Sequence, residues 1–247
     1  MRTLVVSIGN STIFCGVFAD DRLLASFRLP VQARGLGRRL AARIRSDFSA
    51  AAVCSVVPPL TRPVVRELRR SFRITPRLLS PGAPHGLTVG YRRPRELGAD
   101  RLAAALGARM KFPRRHVIVV DCGTATTVTA LHRDGTLLGG AILPGLSLGP
   151  EVLAKRTAKL PRVPLRRPAA ALGRSPAEGI SSGIFFGHVG AIRELVGRIR
   201  REAFGREAVL VVGTGGHAPF FAKEGLFTAL EPNLILDGLR AFLSVLG

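Results

Sequence analysis

Four short stretches of this 247-residue chain carry residue types that could handle a phosphate group or a proton. Gly9-Asn10-Ser11-Thr12 and Gly123-Thr124-Ala125-Thr126-Thr127 each place a glycine ahead of small hydroxyl or amide side chains at the end of an apolar run. Such a turn lets the backbone come close to an anion and offers N–H and hydroxyl donors to phosphate oxygens. Val209-Leu210-Val211-Val212-Gly213-Thr214-Gly215-Gly216 is a strand ending in a Gly-rich turn, where a nucleoside can lie flat on the backbone or the chain can simply connect to a helix. Each glycine turn alone also fits an ordinary hairpin. In Tyr91-Arg92-Arg93-Pro94-Arg95-Glu96-Leu97-Gly98-Ala99-Asp100-Arg101, a carboxylate follows Gly-Ala and precedes a helix. Asp100 there reads either as a helix cap or as a general base taking the proton of an attacking hydroxyl. In the second reading, the guanidinium fork of Arg101 clamps an anionic group.

The elements that must position these groups follow from the hydrophobic pattern. Leu4 to Phe18 reads as strand, tight polar turn, strand, closed by Asp20-Asp21. Residues 36 to 48 have apolar positions at helical spacing, and Ala51 to Val57 form a buried strand. Pro58-Pro59 stops that strand before a helix around Val64 to Phe72. After a Gly/Pro-rich loop from Pro81 to Gly90 comes an alanine-rich helix, Leu102 to Met110, ended by Pro113. Val117 to Leu131 then repeats the strand-turn-strand pattern, with a further turn at Asp134-Gly135, and Ile184 to Ile199 is an apolar helix for core or interface.

Val5-Val6-Ser7-Ile8-Gly9-Asn10-Ser11-Thr12 overlays Val119-Val120-Asp121-Cys122-Gly123-Thr124-Ala125-Thr126 with the glycines in register. An internal repeat of this kind predicts two similar α/β domains, residues 1–113 and 114–247, facing each other across a cleft that takes the ligands.

Composition narrows the function classes. The chain has 47% hydrophobic residues, 28 glycines, 17 prolines and no low-complexity tract, as expected of a folded globular protein. Its longest apolar runs fall far below the roughly 20 residues of a membrane-spanning helix. The start of the chain lacks the pattern of a cleaved leader, so a cytoplasmic location is expected. Cys15, Cys54 and Cys122 are an odd set without C-x-x-C spacing, each inside an apolar run, and read as small buried hydrophobes. The net charge is +21, nearly all from arginine, with lysine only at 111, 155, 159 and 223. The arginines are spread along the chain with one tyrosine and no tryptophan, which fits a solvated basic surface better than a stacking platform for nucleic acid.

The order of motifs resembles that of type III pantothenate kinases from residue 4 to about residue 244. The opening is similar to the family's D-x-G-N-[ST] loop, and Val53-Cys54-Ser55-Val56-Val57-Pro58 to its S-V-V-P strand end. Tyr91 with Gly98-Ala99-Asp100-Arg101 resembles its Y…G-A-D-R motif, and Asp121-Cys122-Gly123-Thr124-Ala125 its D-x-G-T-A loop. Gly139-Gly140-Ala141-Ile142-Leu143-Pro144-Gly145 resembles a G-G-x-I-x-P-G turn, Lys159-Leu160-Pro161 an L-P element, and Thr214-Gly215-Gly216 a T-G-G motif.

This resemblance implies duplicated ribonuclease H-like, actin-like ATPase domains. It also implies a homodimer that transfers the γ-phosphoryl of ATP to pantothenate, the first step of coenzyme A synthesis. Mg²⁺ and a monovalent cation, K⁺ or NH4⁺, would assist. By the same resemblance Asp100 is the general base, and Tyr91, Gly98, Ala99, Arg101 and Pro176 belong to the pantothenate site. Asp121 helps hold K⁺. Ser7, Ile8, Gly9, Asn10, Ser11, Thr12, Ile13 and Phe14, with Thr124, Gly215 and Gly216, hold ATP.

Two positions depart from the pattern. Ser7 stands where the family's first motif begins with an aspartate, and a hydroxyl brings no negative charge for a hard cation. Pro176 stands where relatives offer a threonine hydroxyl across the dimer interface. Ser7 leaves open a nucleotide-binding pseudokinase and Pro176 a kinase for another small hydroxylated acid, while the net charge of +21 alone supports a nucleic-acid-associated regulator on the same fold.

Overall fold

The structure, a computed structural model, describes residues 1–31, 39, 42–44 and 48–245. The helix expected over residues 36–48 lies largely outside the described residues. Two compact units make up the chain: Met1–Pro113 with Gly135–Leu137 and Asn233–Gly247, and Arg114–Asp134 with Leu138–Pro232. The final segment therefore packs with the first unit, whereas the repeat alone placed it with the second.

The first unit is built on a five-stranded sheet of order β3-β2-β1-β4-β5. Its strands are β1 (Arg2–Ile8), β2 (Thr12–Ala19), β3 (Arg22–Pro30), β4 (Ala50–Ser55) and β5 (Arg77–Leu79). The first three run as antiparallel neighbours, and β4 and β5 add in parallel. Leu4, Val5 and Val6 are all buried because both faces of this part of the sheet are covered, the reason β1 reads as a continuous apolar run.

Helix α1 (Pro58–Phe72) covers one face, packing Val64 and Leu68 against Leu4, Val6, Ile8 and Val53. It begins at Pro58, so the proline pair occupies the first helical turn, where a missing N–H costs nothing, rather than a loop before the helix. Helix α2 (Ala99–Lys111) starts one turn earlier than its alanines indicate.

The second unit repeats the plan. Its strands β7 (His116–Cys122), β8 (Ala125–Leu131), β9 (Thr136–Pro144), β10 (Val209–Thr214) and β11 (Ala229–Leu230) take the order β9-β8-β7-β10-β11. Again the central strand pairs antiparallel with the next one and parallel with a later one. Short β6 (Thr88–Val89) pairs with Thr136 and Leu137, which cluster with the first unit. Helix α3 (Leu148–Arg156) precedes the long α4 (Pro176–Phe204), which puts Phe185, Val189 and Ile192 into the core with Ile118, Val120 and Val128.

The register of the repeat is exact only along its first strands. In one hairpin Ser7 faces Phe14 and Ile8 faces Ile13; in the other Asp121 faces Thr127 and Cys122 faces Thr126. The first turn is thus one residue longer, and Thr126 corresponds to Ile13 rather than Thr12. The Gly139-Gly140 pair, which reads as a turn, lies inside β9. A Cβ on Gly140 would come within 2.8 Å of the Val128 backbone, so Gly140 allows close strand approach.

Helix α5 (Leu234–Val245) returns to the first unit and buries Leu234, Leu236, Leu239 and Phe242. It crosses α2 at two glycines. A Cβ on Gly238 would sit 2.7 Å from the Ala103 carbonyl carbon, and one on Gly107 would sit 3.1 Å from that of Leu234.

Candidate functional site

In the first unit the glycine turn at the end of β1 is closed by Gly9 N–H donating to the Thr12 carbonyl at 3.0 Å. Asn10, Ser11 and Thr12 are exposed at its tip, where a ligand can reach them. Ile8, Ile13 and Phe14 are buried, and they offer a ligand only their backbone. Ser7 is buried at the end of β1 and lies opposite Cys54 of β4 in the parallel register. Its side chain hydrogen-bonds the Cys54 thiol, and Asp100 acts on that thiol through space. Burial pushes Cys54 up to about 12, with the Asp100 charge adding to the rise and the Ser7 bond opposing it.

Asp100 stands in the first turn of α2, with Gly98 as the cap residue. No side chain caps this helix, and the Asp100 carboxylate accepts the neighbouring Arg101 N–H at 2.7 Å. Asp100 is therefore not the helix cap. Burial raises the pKa of Asp100 from its ordinary value, against the pull of the Arg101 N–H and guanidinium. The Arg101 guanidinium sits over the Tyr91 ring, 5.4 Å from its centroid, so the two motif residues meet. Gly98 and Ala99 line a cavity of about 560 Å³ with Ser55, Val56, Leu79 and Leu97. That is a volume suited to a small organic ligand.

The second unit assembles the other glycine loops. Gly123 N–H donates to the Ala125 carbonyl at 3.1 Å, and Gly145 N–H to the Thr124 carbonyl at 3.1 Å. The β7 end carrying Asp121 lies in parallel register with Thr214, which brings Gly215 and Gly216 beside it. His217 N–H then closes onto the Cys122 carbonyl at 2.9 Å. Asp121, Thr124, Gly215 and Gly216 thus share one end of one sheet. Among the described residues no group of three or more His, Cys, Asp or Glu side chains could hold a metal. A single carboxylate fits a cation that would take its other oxygens from water and substrate phosphates.

Pro176 is the first residue of α4. Ser175 caps that helix, its hydroxyl accepting Glu178 N–H at 3.3 Å, while Glu178 accepts Arg174 N–H at 2.7 Å. The Ser175 hydroxyl is therefore engaged in the cap, and Pro176 has a helix-starting role.

Residue-by-residue reading missed a group around the second loop. His188 Nε2 is 2.9 Å from Thr126 Oγ1, and its ring stacks on Phe221 with centroids 5.3 Å apart. Burial lowers its pKa, helped by nearby His217. His217 had a signal, standing directly after Thr214-Gly215-Gly216. His188 had none, since only the fold brings α4 to Thr126.

A five-stranded sheet and a six-stranded sheet that share one five-strand order, each with a glycine turn at the end of its central strand, define a duplicated actin-like ATPase and sugar-kinase fold. Solved structures share it. A Campylobacter jejuni protein described as a conserved Baf family transcriptional activator matches with a TM-score of 0.64 at 19% identity, covering 98% of this chain and 97% of its own. A ROK family glucokinase from Streptomyces griseus, in complex with glucose and AMPPNP, matches with a TM-score of 0.51 at 14% identity, covering 99% of each. The chain belongs to the type III pantothenate kinase family, whose model matches residues 3–198. The type III pantothenate kinase of Legionella pneumophila (strain Corby) is 41% identical over 246 residues, 96% of this chain and 96% of that protein.

Proposed function

We propose that this chain is an ATP-dependent kinase that phosphorylates pantothenate to 4'-phosphopantothenate, the first step of coenzyme A synthesis. The observation that carries the reading is Asp100, a carboxylate whose pKa burial raises, joined through Gly98 and Ala99 to a cavity of small-ligand size. Family membership supplies the substrate pair.

In this reading the primary hydroxyl of pantothenate attacks the γ-phosphorus of ATP, and the bond from that phosphorus to the bridging oxygen of ADP breaks. The hydroxyl proton passes to the Asp100 carboxylate. A base raised toward neutrality accepts a proton more readily than an ordinary aspartate. Arg101, steadied by Tyr91, holds the anionic part of the substrate. The exposed Asn10, Ser11 and Thr12, with Thr124, Gly215 and Gly216, bind the nucleotide. Catalysis of this kind is mainly positioning and charge neutralisation.

Asp121 would hold the monovalent cation, K⁺ or NH4⁺, and would share with the ATP phosphates the task of holding Mg²⁺. These cations neutralise phosphate charge. Ser7 hydrogen-bonds Cys54 and adds no charge, so it would offer a hard cation no carboxylate oxygen. Pro176 joins the substrate site through the start of α4. The same reading carries a homodimer and a cytoplasmic location. No helix among the described residues is long and apolar enough to cross a membrane.

The test is ATP-dependent phosphorylation of pantothenate by the purified protein with Mg²⁺ and K⁺, beside Asp100→Asn and Ser7→Asp variants. Turnover in the natural chain that Asp100→Asn abolishes is the expected result. Silence in the natural chain with activity restored by Ser7→Asp would make it a nucleotide-binding pseudokinase.

A further inference from the structure

Helix α1 carries a second, basic cavity that the proposed reaction does not use. Arg62, Arg66 and Arg69 line it with Thr61, Val65 and Leu78, around a volume of about 340 Å³. All three arginines lie on one face of the helix, opposite the buried Val64 and Leu68. At 1.5 Å per residue they are spaced by about 6 Å and about 4.5 Å along the axis.

Among the described residues no ion pair joins any of the three. The one acid on α1, Glu67, instead accepts Arg70 at 2.7 Å and the Ser71 hydroxyl at 3.1 Å. Exposed arginines on an ordinary surface need no partner, but these three converge on a concavity of small-ligand size. Leu78, 48% exposed, and Val65 give the cavity an apolar wall.

Thr61 is fixed in place, its hydroxyl bonded to the Ser55 hydroxyl at 2.7 Å and the Val57 carbonyl at 3.1 Å. Thr61, Arg62 and Leu78 also line the cavity beside Gly98 and Ala99, so the two spaces share a wall. Guanidinium forks bind phosphate oxygens in pairs, and successive forks along one helix face suit linked phosphates better than a single carboxylate.

We propose that the Arg62–Arg66–Arg69 groove is a binding site for a small molecule carrying a diphosphate. The volume and the three cations match a compact dianion or trianion. A nucleic acid would instead draw on the basic residues spread over the whole surface.

The test is isothermal titration of the full-length protein with inorganic pyrophosphate at about 50 mM salt, without ATP or Mg²⁺. Arg66→Gln/Arg69→Gln should weaken binding at least tenfold. Arg70→Gln/Arg73→Gln, which removes the same charge outside the cavity, should leave it unchanged. Thermal melts of both variants check that the fold is kept. Equal weakening in the two variants, or no binding of pyrophosphate to the natural chain, overturns the proposal. So does tighter binding of a 12-nucleotide single strand that the groove variant does not alter.

Discussion

Gly215 lies directly over the Asp121 carboxylate: with φ at +88°, it occupies space where any Cβ would collide with Asp121 Oδ1 and come within 2.7 Å of the Cys122 backbone. The glycine is needed twice, for the positive φ and for the close approach.

Gly215→Ala therefore should push Asp121 or the β10 turn out of place. The expected cost is about 1–3 kcal/mol from the backbone conformation alone. Nucleotide binding should weaken by more than the loss of stability accounts for. Calorimetric titration with an ATP analogue, set against thermal melts, separates the two.

Asp100→Asn should trade activity for stability. The unfolded chain loses this proton near pH 3.9, whereas burial delays the loss in the folded chain. Between the two values the folded state binds more protons, so the contribution to stability is present at low pH and disappears as pH rises through the folded value. At neutral pH the neutral asparagine should melt above the natural chain, with activity lower by about 100- to 10,000-fold. In the natural chain kcat/KM should climb with pH as Asp100 becomes a free base. A pH-independent rate at low pH would remove Asp100 from the role.

His188 shows the opposite linkage. Its proton affinity is lowered in the fold, so below about pH 6.5 the unfolded state gains a proton the folded state resists. Stability should fall as pH drops through this window. Urea unfolding at pH 5.5 and 7.5 should show a smaller pH difference for His188→Gln than for the natural chain.

Gly238→Ala tests the helix crossing. The added methyl would press on the Ala103 carbonyl, where backbone rather than a side-chain tip must yield. A loss of about 1–3 kcal/mol is expected, a drop of several degrees in Tm. An unchanged Tm would mean that α5 can slide on α2.

Much of the scaffold was legible because its signals are local. The two hairpins announce themselves by apolar runs ending in Gly and small polar residues, and the repeat follows from comparing them. Strand β3 was not legible: only Leu29 of its nine residues is buried, so no alternating pattern marks it. It forms by pairing with β2 at the sheet edge. The Gly139-Gly140 pair misleads because close strand approach and a turn call for the same residue. Ser7 and Cys54 read separately as a lost acid and a buried thiol, and only the parallel register of β1 and β4 makes them partners.

The return of α5 to the first unit bears on how the chain comes off the ribosome. Leu234, Leu236, Leu239 and Phe242 complete an N-terminal core whose other strands were made some two hundred residues earlier. Vectorial synthesis cannot close that core early, so the first unit must wait, part-built, until translation is nearly finished. A premature stop that spares every motif residue would still leave it unsealed, a client for chaperones rather than an enzyme.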